Sequence, residues 1–272
     1  MKTIGKILKA AVRIILALVL LIVIALGVLS AAEYRPADME SVIPDHPVST
    51  VLKTGDPLTI VSWNCGYGAL GDNADFFMDG GTSVYTADRE RLKSNLEGIR
   101  DVLLDLSPDL LILQEVDVNS SRSCGTDERS LLREAMPGAC ESFAYNFNAL
   151  YVPYPLPPIG HVESGLYTLT SAEARSAERI SLPCPFSWPV RLVNLKRCLL
   201  VSRFPVEGTD RELVLINLHL EAYDNGEGKE AQTRQLASLM QAEYAKGNYV
   251  IAGGDFNQSF TGIDRSGYPL YE

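Results

Sequence analysis

The sequence predicts a layered α+β domain, with two packed, mostly antiparallel sheets and helices outside, behind one N-terminal membrane helix. Three observations predict it. Short apolar runs bounded by Gly, Pro, Asn and Asp outnumber helical patterns and mostly follow one another. Helical periodicity appears only in separated stretches. One apolar run, residues 14–32, has nineteen residues without a charge, close to the ~20 that cross a bilayer.

Lys2, Lys6, Lys9 and Arg13 precede that run with no acid among them, and Glu33, Asp38, Glu40 and Asp45 follow it. This bias keeps residues 1–13 cytoplasmic and places the domain outside, at the cell surface. Ser30, Ala31 and Ala32 offer the alternative of signal cleavage and secretion. The uncleaved anchor is favoured, because a signal h-region usually runs only ~7–15 residues. Residues 33–57 hold Pro36, Pro44, Pro47, Pro57 and Gly55 and read as an extended linker, leaving 58–272 for the domain.

Residues 58–63 form the first expected buried strand, stopped by Asn64, Gly66 and Gly68. Leu92, Leu96, Ile99, Leu103 and Leu106 then recur at helical spacing between Asp88 and Ser107. Ser107-Pro108-Asp109 breaks that helix, and Leu110 to Leu113 make a second buried strand ending at Gln114-Glu115. A weaker helix is expected over 127–135, strands over 142–151, 165–170, 197–202 and 213–220, a helix over 229–245, and a last strand over 249–252. The segment 76–81, Phe-Phe-Met-Asp-Gly-Gly, is a loop whose two aromatics suit packing more than a place beside substrate.

The chain has 272 residues, 24 Lys+Arg against 34 Asp+Glu and a net charge of -10. This composition excludes a disordered tail, a collagen-like repeat and a small disulfide scaffold. Residues 1–32 carry four basic and no acidic side chains, so the remainder carries -14. No Lys/Arg run offsets that charge, which disfavours nucleic acid as a partner. Cys65, Cys124, Cys140, Cys184 and Cys198 show no metal spacing. Pairs 124/140 and 184/198 are conceivable bridges outside the membrane, and five reduced thiols are the equal alternative.

Asn64, Glu115, His219 (flanked by Asn217), Asp255 and Asn257 each stand at or just beyond a predicted strand end. One rigid core can bring such positions together. Carboxylate and amide oxygens suit a hard cation such as Mg²⁺, which takes one or two carboxylates and fills its octahedron with water and phosphate oxygens. A histidine beside it can donate to a phosphoryl oxygen or move a proton. Taken singly, each residue has a plainer explanation: a turn former, a solvated cap or a hydrogen-bonded core histidine.

On Ile60-Val61-Ser62-Trp63-Asn64, Pro108 through Gln114-Glu115-Val116, Ile216-Asn217-Leu218-His219-Leu220 and Gly253-Gly254-Asp255-Phe256-Asn257, the sequence resembles the endonuclease/exonuclease/phosphatase superfamily. That superfamily includes pancreatic-type deoxyribonucleases, abasic-site endonucleases, neutral sphingomyelinases and inositol-polyphosphate 5-phosphatases. Residues 164–170 resemble its middle strand. The resemblance implies a four-layered α/β sandwich that binds Mg²⁺ or Mn²⁺ and hydrolyses a phosphate ester. It makes Glu115 the main metal ligand and Asn64 its neighbour near metal and phosphate. Asp255 would position or deprotonate the attacking water, Asn257 would help to orient phosphate, and His219 would stabilise phosphoryl oxygens or assist the leaving group.

The family's last motif, an Asp-His pair, is missing before Glu272, fifteen residues past Asn257. His46 in the linker and His161 do not replace it by pattern. Truncation is favoured over genuine loss, and a poorly active chain is expected. The function expected is phosphodiester or phosphomonoester hydrolysis, with a lipid headgroup or small phosphorylated substrate favoured. An extracellular nuclease and a catalytically inert binding module are the alternatives. Oligomeric state is not legible.

Overall fold

The structure, a computed structural model, describes residues 2–45, 48–259, 262 and 264. His46 and residues 265–272, including the closing segment after Ser266, lie outside the described residues. The N-terminal helix α1 runs Lys2–Ala31, and its window Ile4–Ala31 is long and apolar enough to cross a membrane.

Among the described residues ten strands form two sheets. The first holds β1 (Met39–Val42), β7 (Ser176–Ser181), β8 (Cys198–Glu207), β9 (Glu212–His219) and β10 (Tyr249–Asp255) in that order, with β2 (Leu52–Lys53) paired to β8. The second holds β3 (Ile60–Asn64), β4 (Leu110–Asp117), β6 (Gly160–Thr170) and β5 (Cys140–Val152) in that order. Most pairings are antiparallel; β3 with β4, β9 with β10 and β2 with β8 are parallel.

The sheets pack face to face through Leu110 and Ile112 of β4 against Phe204, Leu213 and Leu215 of β8 and β9. Helix α2 (Arg89–Leu106) covers the other face of the second sheet, seating Leu92, Leu96 and Leu103 against Leu111, Leu113 and Val116. Helix α4 (Glu227–Ala245) covers the first sheet through Leu236, against Val214, Ile216 and Leu218. The four layers are helix, sheet, sheet, helix. β4 and β9 are central and covered on both faces, which is why they read as unbroken apolar runs instead of alternating ones.

Local signals match these boundaries. Asp88 caps α2 by accepting from the Arg91 N–H at 2.8 Å, and Ser107 ends it in a left-handed conformation (φ 46°) just before Pro108. The weak helix over 127–135 reduces to α3 (Arg129–Leu132) and one tight turn, Arg133–Ala135.

One expectation changes, and the cysteine alternatives resolve. The segment read as a linker is docked: β1 pairs with β7 along the edge of the first sheet, and Leu52 packs into the inter-sheet core. Its prolines flank these short edge strands, where a missing N–H costs little, so composition alone suggested a free tether. No disulfide forms; all five cysteines are free, with Cys65, Cys140 and Cys198 buried.

Candidate active site

Register brings the expected residues to one rim. β9 and β10 pair so that Asp255 lies opposite His219. β3 and β4 pair so that Asn64 lies opposite Gln114, one step before Glu115. β10 approaches β3 and β4 across the sandwich, so carboxylates from both sheets meet.

Glu115 is aimed by a β-bulge. Leu113 pairs with Tyr167 and Val116 with Gly165, so Gln114 and Glu115 together oppose a single residue, and Glu115 takes φ 53°. A non-glycine residue in that region is strained and persists only where its surroundings hold it. Gln114 supplies the hold: its Nε2 donates to Asn217 Oδ1 at 2.8 Å and to the Ile112 carbonyl at 3.1 Å. Asn217 in turn donates to the carbonyls of Leu113 and Tyr167, each at 3.1 Å. The bulge turns the Gln114 side chain into the sandwich and the Glu115 side chain out to the rim.

Asp255 depends on the two glycines before it. A Cβ on Gly254 (φ 138°) would meet the Leu218 carbonyl at 2.0 Å, and one on Gly253 would meet Ile112 Cδ1 at 2.7 Å. The backbone approach at Gly254 is one that only glycine permits, whereas at Gly253 the Ile112 side chain would have to shift. Asn257 (φ 50°) closes the following turn, donating from its backbone N–H to Asp255 Oδ1 at 2.9 Å and from Nδ2 to the Leu220 carbonyl at 2.8 Å.

Asn64 joins the two halves. Its Nδ2 donates to Glu115 Oε1 at 3.1 Å and to Asp255 Oδ2 at 2.9 Å, while its Oδ1 accepts from the Gly66 N–H at 3.0 Å. His219 Nε2 stands 3.8 Å from each of the same carboxylate oxygens, and its buried Nδ1 has no partner among the described residues. Burial pushes the Glu115 carboxyl above its ordinary pKa, against the pull of Arg122 and Asn64. Burial, helped by Arg197, drops the His219 imidazole to about 3, so it is neutral near pH 7.

These side chains line a cleft of about 490 Å³ whose other walls include Phe76, Phe77, Met78 and Tyr223. The aromatics of the 76–81 loop pack as expected, Phe76 on Tyr67 and Phe77, and all three rings also line the cleft. A model of the Endonuclease/Exonuclease/phosphatase family matches residues 61–268. The chain belongs to that family.

Among solved structures, this family member is similar to an endonuclease/exonuclease/phosphatase from Beutenbergia cavernae DSM 12333, at 18% identity and TM-score 0.51, over 79% of this chain and 51% of that one. It is also similar to the human Nocturnin catalytic domain with bound sulfate (17%, TM-score 0.48, 80% and 71%) and to truncated Caenorhabditis elegans TDP2 (15%, TM-score 0.44, 74% and 63%). At these identities the likeness concerns the fold. The chain spans about half the length of the Beutenbergia structure. No curated protein matches its sequence.

Family members of this fold imply a divalent metal, and the donor set here fits one. Among the described residues no group of three or more His, Cys, Asp or Glu is placed to hold a metal ion by itself. Mg²⁺ takes only one or two protein carboxylates and fills its octahedron with water and phosphate oxygens, a demand that Glu115 at the cleft meets. Asn64, expected beside the metal, presents its amide N–H to both carboxylates and its oxygen to the Gly66 N–H, so it ties Glu115 to Asp255.

Two cleft residues escaped the sequence reading. Arg122 is held by Asp117 through two bonds of 3.0 Å and lies 3.7 Å over the Tyr67 ring; burial opposes its charge, and the Asp117 carboxylate more than restores it. Arg197 donates to Glu221 at 3.1 Å and to the His219 carbonyl at 3.0 Å. An arginine directly before the apolar run 198–201 was the available signal for Arg197; Arg122, in a Ser-rich turn, gave none. His161 lies away from the cluster, with Nδ1 at 3.3 Å from the Leu150 carbonyl and Nε2 at 3.4 Å from Glu163.

Proposed function

We propose that this domain is a Mg²⁺- or Mn²⁺-dependent phosphoesterase, held on the outer side of the membrane by α1. The observation that carries the reading is the meeting of Glu115 and Asp255, from different sheets, on the single amide of Asn64. Glu115 would hold the ion, with Asn64 fixing its carboxylate. When bound, the ion supplies a localised positive charge against the non-bridging oxygens of the ester.

The chain's own groups cover the remaining needs of in-line attack on phosphorus. Asp255, fixed at both oxygens by Asn64 and the Asn257 N–H, is oriented to take a proton from an attacking water. A neutral His219 can donate from Nε2 to a phosphoryl or departing oxygen. Arg122 and Arg197 bring buried positive charge to a cleft in an otherwise acidic molecule. The acidic surface and the aromatic walls favour a lipid headgroup or small phosphorylated substrate over a nucleic acid.

The test is hydrolysis of bis(4-nitrophenyl) phosphate by the purified chain with Mg²⁺ or Mn²⁺, with and without EDTA. Metal-dependent turnover should fall ~10²-fold or more in Glu115→Ala and in Asp255→Ala. Turnover that survives both substitutions would overturn the reading. No turnover with any divalent ion would favour an inert binding module.

A further inference from the structure

The membrane helix and the candidate active site share a wall. Leu26 and Leu29 of α1 pack against a cluster that includes Phe147, Val152, Leu192 and Val193, and Phe147, Val152 and Val193 also line the cleft. The charge-free run that ends at Ala32 is about 28 Å long as a helix, against a hydrocarbon core of ~30 Å. It has no length to spare. Leu26 and Leu29 therefore belong at the outer boundary of the core, and the domain residues they touch sit at that same depth.

Charges mark the boundary just beyond. Glu33, its side chain 4% exposed, is gripped by Arg35, Arg191 and Lys196 at 2.9, 3.2 and 3.4 Å, and Arg35 also reaches the Ser30 carbonyl at 3.0 Å. Trp188 Nε1 donates to Ser30 Oγ at 3.1 Å. Around this junction the domain exposes apolar side chains: Trp188, Val190 and Tyr154 are about half exposed, and Leu156, two residues beyond Tyr154, is 87% exposed. Asn194 donates to Tyr154 Oη at 3.4 Å, tying the loop after β5 to the turn Val190–Val193.

We propose that this face lies on the bilayer that holds α1, with Trp188, Tyr154 and Leu156 in the headgroup layer and the adjoining wall of the cleft facing it. The partner is a lipid surface, because the face is continuous with the helix that enters the membrane. Aromatic side chains beside cations at that level are also the pattern of a membrane-water interface. The inference rests on α1 being retained as an anchor. It gives the headgroup of a lipid the shortest route to Glu115.

The full chain, reconstituted into phosphatidylcholine vesicles with brominated acyl chains, tests it. The chain has two tryptophans, Trp63 and Trp188, and Trp63 packs against the core under α2. Flotation with the vesicles comes first; a chain that does not float overturns the anchor and the docking together. In the floated protein, bromolipid should quench about half of the tryptophan emission, and Trp188→Phe should remove that quenchable part. Adding Leu156→Trp to the Trp188→Phe chain should restore it. Floated protein whose emission bromolipid leaves unquenched, in the wild type and in the Leu156→Trp chain alike, overturns the docking. None of these readouts needs turnover, so failed docking would leave the phosphoesterase reading intact, and an inactive site would leave docking intact.

Discussion

Glu115 carries two opposing demands. Its carboxylate has to be ionised to hold a cation, yet in the metal-free protein burial raises its pKa, so protons should compete with Mn²⁺ binding from above the ordinary carboxylate range. The same shift acts on stability with the opposite sign from a salt bridge. The folded state holds its proton more tightly than the unfolded state, so stability falls as pH rises from the unfolded pKa through the raised folded one. In EDTA, Glu115→Gln should therefore melt above wild type at pH 7–8, with the difference vanishing below the unfolded pKa, while turnover is lost. Thermal melts across pH check this; a variant less stable at every pH would contradict it. Asn64, Glu115, His219, Asp255 and Asn257 were legible because each stands at or just beyond a strand end, in the order of the family's motifs. Arg122 was not, since its place depends on the turn after β4 that folds it back onto Asp117 and over the Tyr67 ring.

At the scale of elements, the site stands on how strands are held, and two perturbations should expose that. Gly254→Ala puts a methyl group into the Leu218 carbonyl and should cost on the order of 3 kcal/mol or prevent folding, read by urea denaturation. Gln114→Leu or Asn217→Leu alone strands a buried partner, at about 1–3 kcal/mol each, and the double change should cost clearly less than their sum; strict additivity would show that the pair does not hold the bulge.

Helix α4 is pinned to β8 by Glu243, whose buried carboxylate accepts from Arg203 at 2.8 and 3.1 Å, from Lys246 at 2.8 Å and from Asn248 at 2.7 Å. The Arg203 bonds, with those of Lys246 and Asn248, hold its pKa down to about 2. Its stabilisation is present above the unfolded carboxylate pKa and is lost as pH falls towards 2. Glu243→Gln should thus cost a few kcal/mol at pH 7 and little near pH 2, as measured by denaturation at the two pH values. Central strands and capped helices could be read from the sequence, whereas β7 could not. Its run Ser-Ala-Glu-Arg-Ile-Ser looks like a loop until Arg179 is seen buried, donating to the carbonyls of Tyr145 and Lys196 at 3.0 and 2.7 Å.

At the scale of the whole molecule, the layers were predictable from patterning and the attachment of the domain to its helix was not. Proline-rich composition between the apolar helix and β3 suggested a free spacer, whereas β1, β2 and the Glu33 cluster fasten that segment to the first sheet and its neighbouring turn. Docking of this kind is invisible locally because its partners lie more than a hundred residues away. The N-terminal helix packs on residues that also line the cleft. The claim on which this account depends is that Glu115, held at the rim beside Asp255, binds a divalent ion. Mn²⁺ titration of the detergent-solubilised chain, followed by electron paramagnetic resonance, measures this without requiring turnover. The account predicts one site, abolished by Glu115→Gln and displaced by Mg²⁺; a chain that binds no Mn²⁺, or a Glu115→Gln variant that binds it as wild type does, would contradict it.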